Sequence, residues 1–281
     1  MKVTDFTIRD PFILPWEGVY YLYASDYVHD FMVYTSTDLE NWTAPVKVTH
    51  LPPDFWATKE FWAPEVHYYQ GSFYLFATMN SETRCRGTQI FKADSPMGPF
   101  EPISDGPATP ADWLCLDGTL FVEGGKPYMV FCHEWLQVEN GTMCYVPLSD
   151  DLTAPLAAPK IMFAAADFDF VRRCPAVNGF PGGGFVTDGP FLYRCENGDL
   201  LMIWSSFGEK GYLQSVLHSD NGHLDGKWLP QTLLFEQDGG HGMIFKGFDG
   251  VLRLALHYPN SGPERLTLFP LKEEQGSLSV Q

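Results

Sequence analysis

Five times along the 281-residue chain the same unit returns, and four of those times a carboxylate or a histidine stands at its head. The heads read Arg9-Asp10-Pro11-Phe12, Trp62-Ala63-Pro64-Glu65-Val66, Leu116-Asp117-Gly118-Thr119-Leu120, Thr187-Asp188-Gly189-Pro190-Phe191 and Gly240-His241-Gly242-Met243-Ile244. A short loop and an apolar strand follow each head, such as Val19-Tyr20-Tyr21-Leu22-Tyr23 or Leu200-Leu201-Met202-Ile203-Trp204, and a third strand follows that. Taken at Asp10, Ala63, Asp117, Asp188 and His241, the heads are spaced by 53, 54, 71 and 53 residues. Small antiparallel sheets repeated at about 40–50 residues imply radial stacking, in which equivalent positions converge on one axis. The expected fold is all-β, a five-bladed β-propeller with residues 1–281 as one domain. Its core is distributed between blades instead of gathered at one centre.

The blades are expected at about Asp5–Leu51, Lys59–Ile103, Trp113–Pro155, Phe185–Leu233 and Asp238–Leu271. Hairpin signals stand at Glu17-Gly18, Gln70-Gly71, Gly124-Gly125, Glu196-Asn197-Gly198-Asp199 and Asp249-Gly250. A long insertion, Ala157 to Gly184, separates the third and fourth blades, and insertions on one rim of a repeat fold often shape a binding face. The tail Gly276–Gln281 is a weak candidate for a closing strand.

Charge narrows the function. A formal net charge of −17 argues against nucleic acid and anionic membrane surfaces, which want basic patches. No apolar run is long enough to span a bilayer, and the first residues do not resemble a signal peptide. The six cysteines form no CxxC pair, so free thiols are expected over disulfides or a zinc site. A cytoplasmic protein acting on a neutral ligand is the expectation. The 8 Trp, 13 Tyr and 22 Phe suit a β-rich core and, where they exceed packing needs, a sugar cleft.

Several of these segments together resemble family 43 of the glycoside hydrolases. They are Arg9-Asp10-Pro11-Phe12, Ser36-Thr37-Asp38-Leu39-Glu40-Asn41-Trp42, Trp62-Ala63-Pro64-Glu65, Asp94-Ser95-Pro96-Met97-Gly98-Pro99-Phe100, Leu116-Asp117-Gly118 and Asp188-Gly189-Pro190. Each is weak alone; their order over nearly the whole chain is specific. The resemblance implies an inverting glycosidase on arabinose- or xylose-containing oligosaccharides, of α-L-arabinofuranosidase or β-xylosidase type. It further implies a general base, a general acid, and a third carboxylate that orients the acid and raises its pKa. Inversion needs two carboxyl groups roughly 6.5–9.5 Å apart, with water between the base and the sugar.

On that basis Asp10 is the expected base, Asp117 the modulator and Asp188 the acid. At the last position the family usually has Glu-Gly-Pro, whereas this chain has Asp-Gly-Pro. The missing methylene leaves three readings open. A backbone shift compensates, Glu134 serves as acid instead, or hydrolysis is lost and a carbohydrate-binding propeller remains. His241 is expected beneath the sugar site, and the resemblance implies contact through water with a central cation, calcium first, although no cofactor is required. Trp62, Glu65, His133, Glu134, Trp135 and Phe207 are candidate substrate-binding residues. Trp16 is placed on the opposite rim, and Arg84 and Arg86 are read as solvated.

Overall fold

The computed structural model describes residues 1–25, 30–177 and 179–281. Twenty strands form five antiparallel sheets of four, each read in chain order from the axis outward. Blade 1 holds β1 (Phe12–Trp16), β2 (Val19–Ser25), β3 (Phe31–Ser36) and β4 (Val46–Lys47). Blade 2 holds β5 (Lys59–Tyr69), β6 (Ser72–Asn80), β7 (Gly87–Ala93) and β8 (Glu101–Pro102). Blade 3 holds β9 (Cys115–Glu123), β10 (Lys126–His133), β11 (Thr142–Pro147) and β12 (Lys160–Ala164). Blade 4 holds β13 (Asp188–Arg194), β14 (Leu200–Gly208), β15 (Gly211–Ser219) and β16 (Trp228–Phe235). Blade 5 holds β17 (Gly240–Lys246), β18 (Leu252–Tyr258), β19 (Arg265–Glu274) and β20 (Ser277–Val280). The expected five-bladed propeller is the fold.

The first hairpins carry the turn chemistry their sequences announce. Glu17-Gly18, Gln70-Gly71 and Gly124-Gly125 all have positive φ at both residues, the type I′ geometry that matches the twist of paired strands. Two expected boundaries move. The start of the Ala157–Gly184 insertion is β12, the outer strand of blade 3, so that blade extends past Pro155. The tail becomes β20 and pairs with β19, so it completes blade 5 and is not shared with blade 1.

Apolar packing lies between blades. One cluster joins Phe12, Leu22 and Phe31 of blade 1 to Val66 and Phe91 of blade 2 and Phe245 of blade 5. Others join blades 2 and 3, 3 and 4, and 4 and 5. All six cysteines are free, and five of them are buried. Among the described residues no helix is long and apolar enough to cross a membrane.

Each innermost strand has a kink where its head residue stands. Asp10, Ala63, Asp117, Gly189 and His241 have φ of 49°, 44°, 56°, 51° and 48°. Left-handed backbone is costly for a side-chain-bearing residue, so its recurrence at five equivalent places marks a functional constraint. Strand pairing slips beside four of these kinks, at Ala63, Asp117, Gly189 and His241, and such bulges re-aim side chains. The fourth kink falls on Gly189, so Asp188 stands one residue before the true equivalent of the other heads. A Cβ at Gly189 would sit 2.8 Å from the His241 ring, which excludes a side chain there.

Candidate active site

The kinked heads deliver a tight set of charges to one end of the axis. His241 Nδ1 lies 3.2 Å from Asp10 Oδ1, 3.3 Å from Asp188 Oδ1 and 3.9 Å from Asp117 Oδ2. Its backbone N–H donates to Ser205 Oγ at 2.7 Å, which fixes the ring's base. Three blades therefore aim carboxylates at an imidazole supplied by a fourth.

Asp10 is held from several sides. Its backbone N–H donates to His257 Nδ1 at 3.2 Å, and Arg9 Nε stands 3.7 Å from Oδ1. The other His257 nitrogen meets Asn260 Oδ1 at 3.1 Å. Oδ1 is buried and has no aligned donor among the described residues. Asp10 lines the cavity. Burial pushes its pKa up, but the His241 and Arg9 charges win and hold it to about 2.

Asp117 and Asp188 share a proton. Asp117 is almost wholly buried, takes the Gly189 N–H at 3.1 Å, and contacts Thr78 Oγ1 at 3.4 Å. Burial and then the neighbouring Asp188 charge push its pKa well above the usual carboxylate range. Asp117 was expected to raise the pKa of Asp188, and the structure reverses this: burial opposes ionisation of Asp188, but hydrogen bonds and charge from Asp117, His241 and Tyr212 favour its anion. Two adjacent carboxyls cannot both ionise freely, and their titration belongs to the pair. Asp188 is the more open member, at 19 % side-chain exposure against 4 % for Asp117.

His241 completes the balance. Burial would lower its pKa, but Asp10, Asp117 and Asp188 raise it to about 10. With Asp10 and Asp188 negative, His241 and Arg9 positive and the shared proton on Asp117, these charges cancel. The group's stabilising contribution is complete below its ordinary pKa of about 6.5 and is lost as pH rises through about 10. His241→Gln is therefore expected to cost about 3–5 kcal/mol near neutral pH, because it strands buried carboxylates. That cost shrinks toward about pH 10, read by urea unfolding of both proteins across the range.

Asp117, Asp188 and His241 also have ligand atoms within 4.8 Å of one another and could hold a metal ion. Calcium takes six to eight oxygens. This set offers two carboxylates and one imidazole nitrogen, fewer oxygens than calcium takes, so these three residues alone do not make a direct calcium site. The imidazolium already supplies positive charge at that place.

Above the charges opens a cavity of about 690 Å³ lined from all five blades. Trp62, Glu134, Trp135 and Phe207 line it, as do Cys174, Pro175 and Val177 from the insertion and Asp238, Asn260 and Ser261 beside blade 5. Three expected pocket residues do not line it, and one of them, His241, lies beneath it among the carboxylates. Glu65 is buried with its Oε2 3.0 Å from His67 Nε2. His133 stacks on Trp113 at 4.1 Å and meets Gln137 at 2.7 Å. The chain turns after β10 into the short helix α1 (Trp135–Val138), which carries Glu134 and Trp135 inward and leaves His133 behind. Trp16 packs on Tyr68 and Phe73 at the hairpin end of the blades, on the opposite rim as expected.

Arg86 is the clearest correction. It is not solvated: its side chain is 8 % exposed and pairs with both Glu60 and Glu134. Arg84 is exposed, with its guanidinium on the Asp105 carbonyl at 2.5 Å. Sequence reasoning also passed over Tyr212, whose hydroxyl donates to Asp188 Oδ2 and whose ring lies parallel to His257 at 5.6 Å. A Cβ on Gly240 would meet that ring at 2.7 Å, so the glycine makes room for the tyrosine.

A set of opposed carboxylates at the end of a propeller axis is the apparatus of a glycosidase. The family model for glycosyl hydrolases family 43 matches residues 3–269, and the chain belongs to that family. It is an inverting glycoside hydrolase. An endo-arabinase from Bacteroides thetaiotaomicron is similar over 99 % of this chain and 98 % of its own, with 36 % identity and a TM-score of 0.93. A thermostable family-43 glycoside hydrolase (23 % identity, TM-score 0.82, 98 % and 93 % covered) shares the fold. So does an alpha-L-arabinofuranosidase from Lactobacillus brevis (19 %, 0.78, 100 % and 97 %). No curated protein matches the chain.

Proposed function

We propose that this hydrolase cleaves α-L-arabinofuranosyl linkages in short, neutral arabinose-containing oligosaccharides. The observation that carries the chemistry is the ring of Asp10, Asp117 and Asp188 around His241 at the floor of the cavity. The similarity to an endo-arabinase at 36 % identity supports arabinose over xylose.

Asp10, ionised at neutral pH, takes a proton from the water that attacks the anomeric carbon. Asp188, ionised at rest, receives the proton that Asp117 holds and passes it to the departing glycosidic oxygen; Asp117 is left as the anion, and the proton that Asp10 took from water returns to the pair through solvent before the next turnover. Asp117 thus orients Asp188 and governs how readily it protonates. Asp10 Oδ1 and Asp188 Oδ1 both touch one nitrogen, so they are at most 6.5 Å apart. These two oxygens therefore stand at or inside the lower edge of the roughly 6.5–9.5 Å that admits a water. The short side chain at 188 is drawn to the floor by His241 and Tyr212. Arg9 and His241 supply positive charge beside the carboxylates.

The test is turnover of 4-nitrophenyl α-L-arabinofuranoside, 4-nitrophenyl β-D-xyloside and arabino-oligosaccharides, with the first anomer followed by proton NMR. Faster release from the arabinoside and a β-anomer as first product are expected. Preference for the xyloside overturns the sugar. Binding of the oligosaccharides without turnover of any substrate overturns hydrolysis and leaves a sugar-binding propeller.

A further inference from the structure

One wall of the cavity is built around a buried guanidinium. Arg86, which immediately precedes β7, donates from Nε to Glu60 Oε2 at 2.7 Å and from Nη1 to Glu134 Oε2. Glu60 receives a second bond from Asn80 Nδ2 at 2.8 Å. The guanidinium carbon lies 4.5 Å from the centre of the Trp62 ring. The backbone is bent to permit this: Glu60 has φ of 58°, Ala63 has φ of 44°, and strand pairing slips on both sides of Trp62.

Trp62 and Glu134 line the cavity and Arg86 does not. One face of the indole is thus covered by the cation, and Glu134 has one oxygen tied and one remaining. Burial pushes the Glu134 pKa up, while Arg86 pulls it down. We propose that Arg86 is the specificity-determining positioning residue of this site. It locks the indole and the carboxyl into one wall that seats a neutral sugar, C–H face on Trp62 and hydroxyl to Glu134. Aromatic faces suit such stacking, and guanidinium is the cation that can pair in a fork and lie flat on a ring together. The wall also excludes uronic acids, because Glu134, Asp188 and Asp238 all line the cavity and like charges repel. The identity of the sugar rests on the function proposed above; the wall does not.

The test compares Arg86→Lys, Trp62→Phe and the double variant. Lysine keeps the charge but loses the fork and the flat face. Arg86→Lys is expected to raise KM for 4-nitrophenyl α-L-arabinofuranoside about tenfold with kcat within about threefold, the size of one lost charged hydrogen bond. In the Trp62→Phe background the same change is expected to add less than about twofold, as coupled neighbours do. An unchanged KM, or effects that simply multiply, overturns the proposal. Glu60→Gln loosens the outer anchor alone and is expected to move KM in the same direction; it decides the matter if Arg86→Lys does not fold. If the wild type cleaves neither aryl glycoside, the sugar assignment has failed separately. The wall is then decided by near-ultraviolet circular dichroism. The Trp62 band, taken as wild type minus Trp62→Phe, is expected to lose about half its intensity in Arg86→Lys, and an unchanged band overturns the wall.

Discussion

Asp10→Asn is expected to lower kcat by about 10³–10⁴-fold, the contribution typical of a positioned general base. The loss should be the same for nitrophenyl glycosides and for arabino-oligosaccharides, because activation of water is needed whatever leaves. KM should change little, since the amide keeps the shape of the side chain and Arg9 and His257 keep their other partners, Glu264 at 3.3 Å and Asn260 at 3.1 Å. Steady-state kinetics on both substrate types is the check. An Asp10→Asn enzyme that retains more than about a tenth of wild-type kcat would remove Asp10 from the base role.

Asp188→Asn is expected to divide the two substrate types. Loss on arabino-oligosaccharides should be about 10³-fold, whereas 4-nitrophenolate departs without much help and should lose only about tenfold. Glu134→Gln should lower both alike and mainly through KM, because Arg86 holds that carboxyl as part of the binding wall. The reverse pattern, with the leaving-group dependence in Glu134→Gln, would make Glu134 the proton donor and Asp188 an ionised floor residue. The geometry makes this a demanding test. Asp188 has Tyr212, His241 and Asp117 all favouring its anion, so its acidity depends wholly on the proton it shares.

The fold was legible because its signals are local. Glu17-Gly18, Gln70-Gly71 and Gly124-Gly125 are turn pairs that dictate their own φ, and each lies beside an apolar strand. The head residues were legible because they recur. What recurrence could not reveal was the kink itself, so the fourth head was read at Asp188 and not at Gly189. Arg86 and Tyr212 were missed for a different reason. Each owes its role to partners that are distant in sequence: Glu134 lies 48 residues from Arg86, and Asp188 lies 24 from Tyr212. Nothing beside Arg86 announces a buried cation. Gly240 was a usable hint for Tyr212, since a glycine at a strand head marks a close approach, but not of what approaches. Glu65 falls outside the pocket because the bulges before it break the two-residue rhythm of the strand.

Every blade takes its four strands from one continuous stretch of chain, so among the described residues no shared strand clasps the first blade to the last. Beside the apolar packing of blade 1 on Phe245, the join is made by small contacts: Ile8 N–H to the Glu264 carbonyl at 3.1 Å, Arg265 to the Phe6 carbonyl and Thr7 Oγ1, and Phe248 N–H to the Tyr20 hydroxyl. Two further contacts at the same join are Arg9 with Glu264 and Asp10 N–H with His257. The water-activating residue is therefore also a rivet of the ring. A propeller that parts at this seam loses its base before any blade unravels, so warming should silence the enzyme while its sheets are still intact.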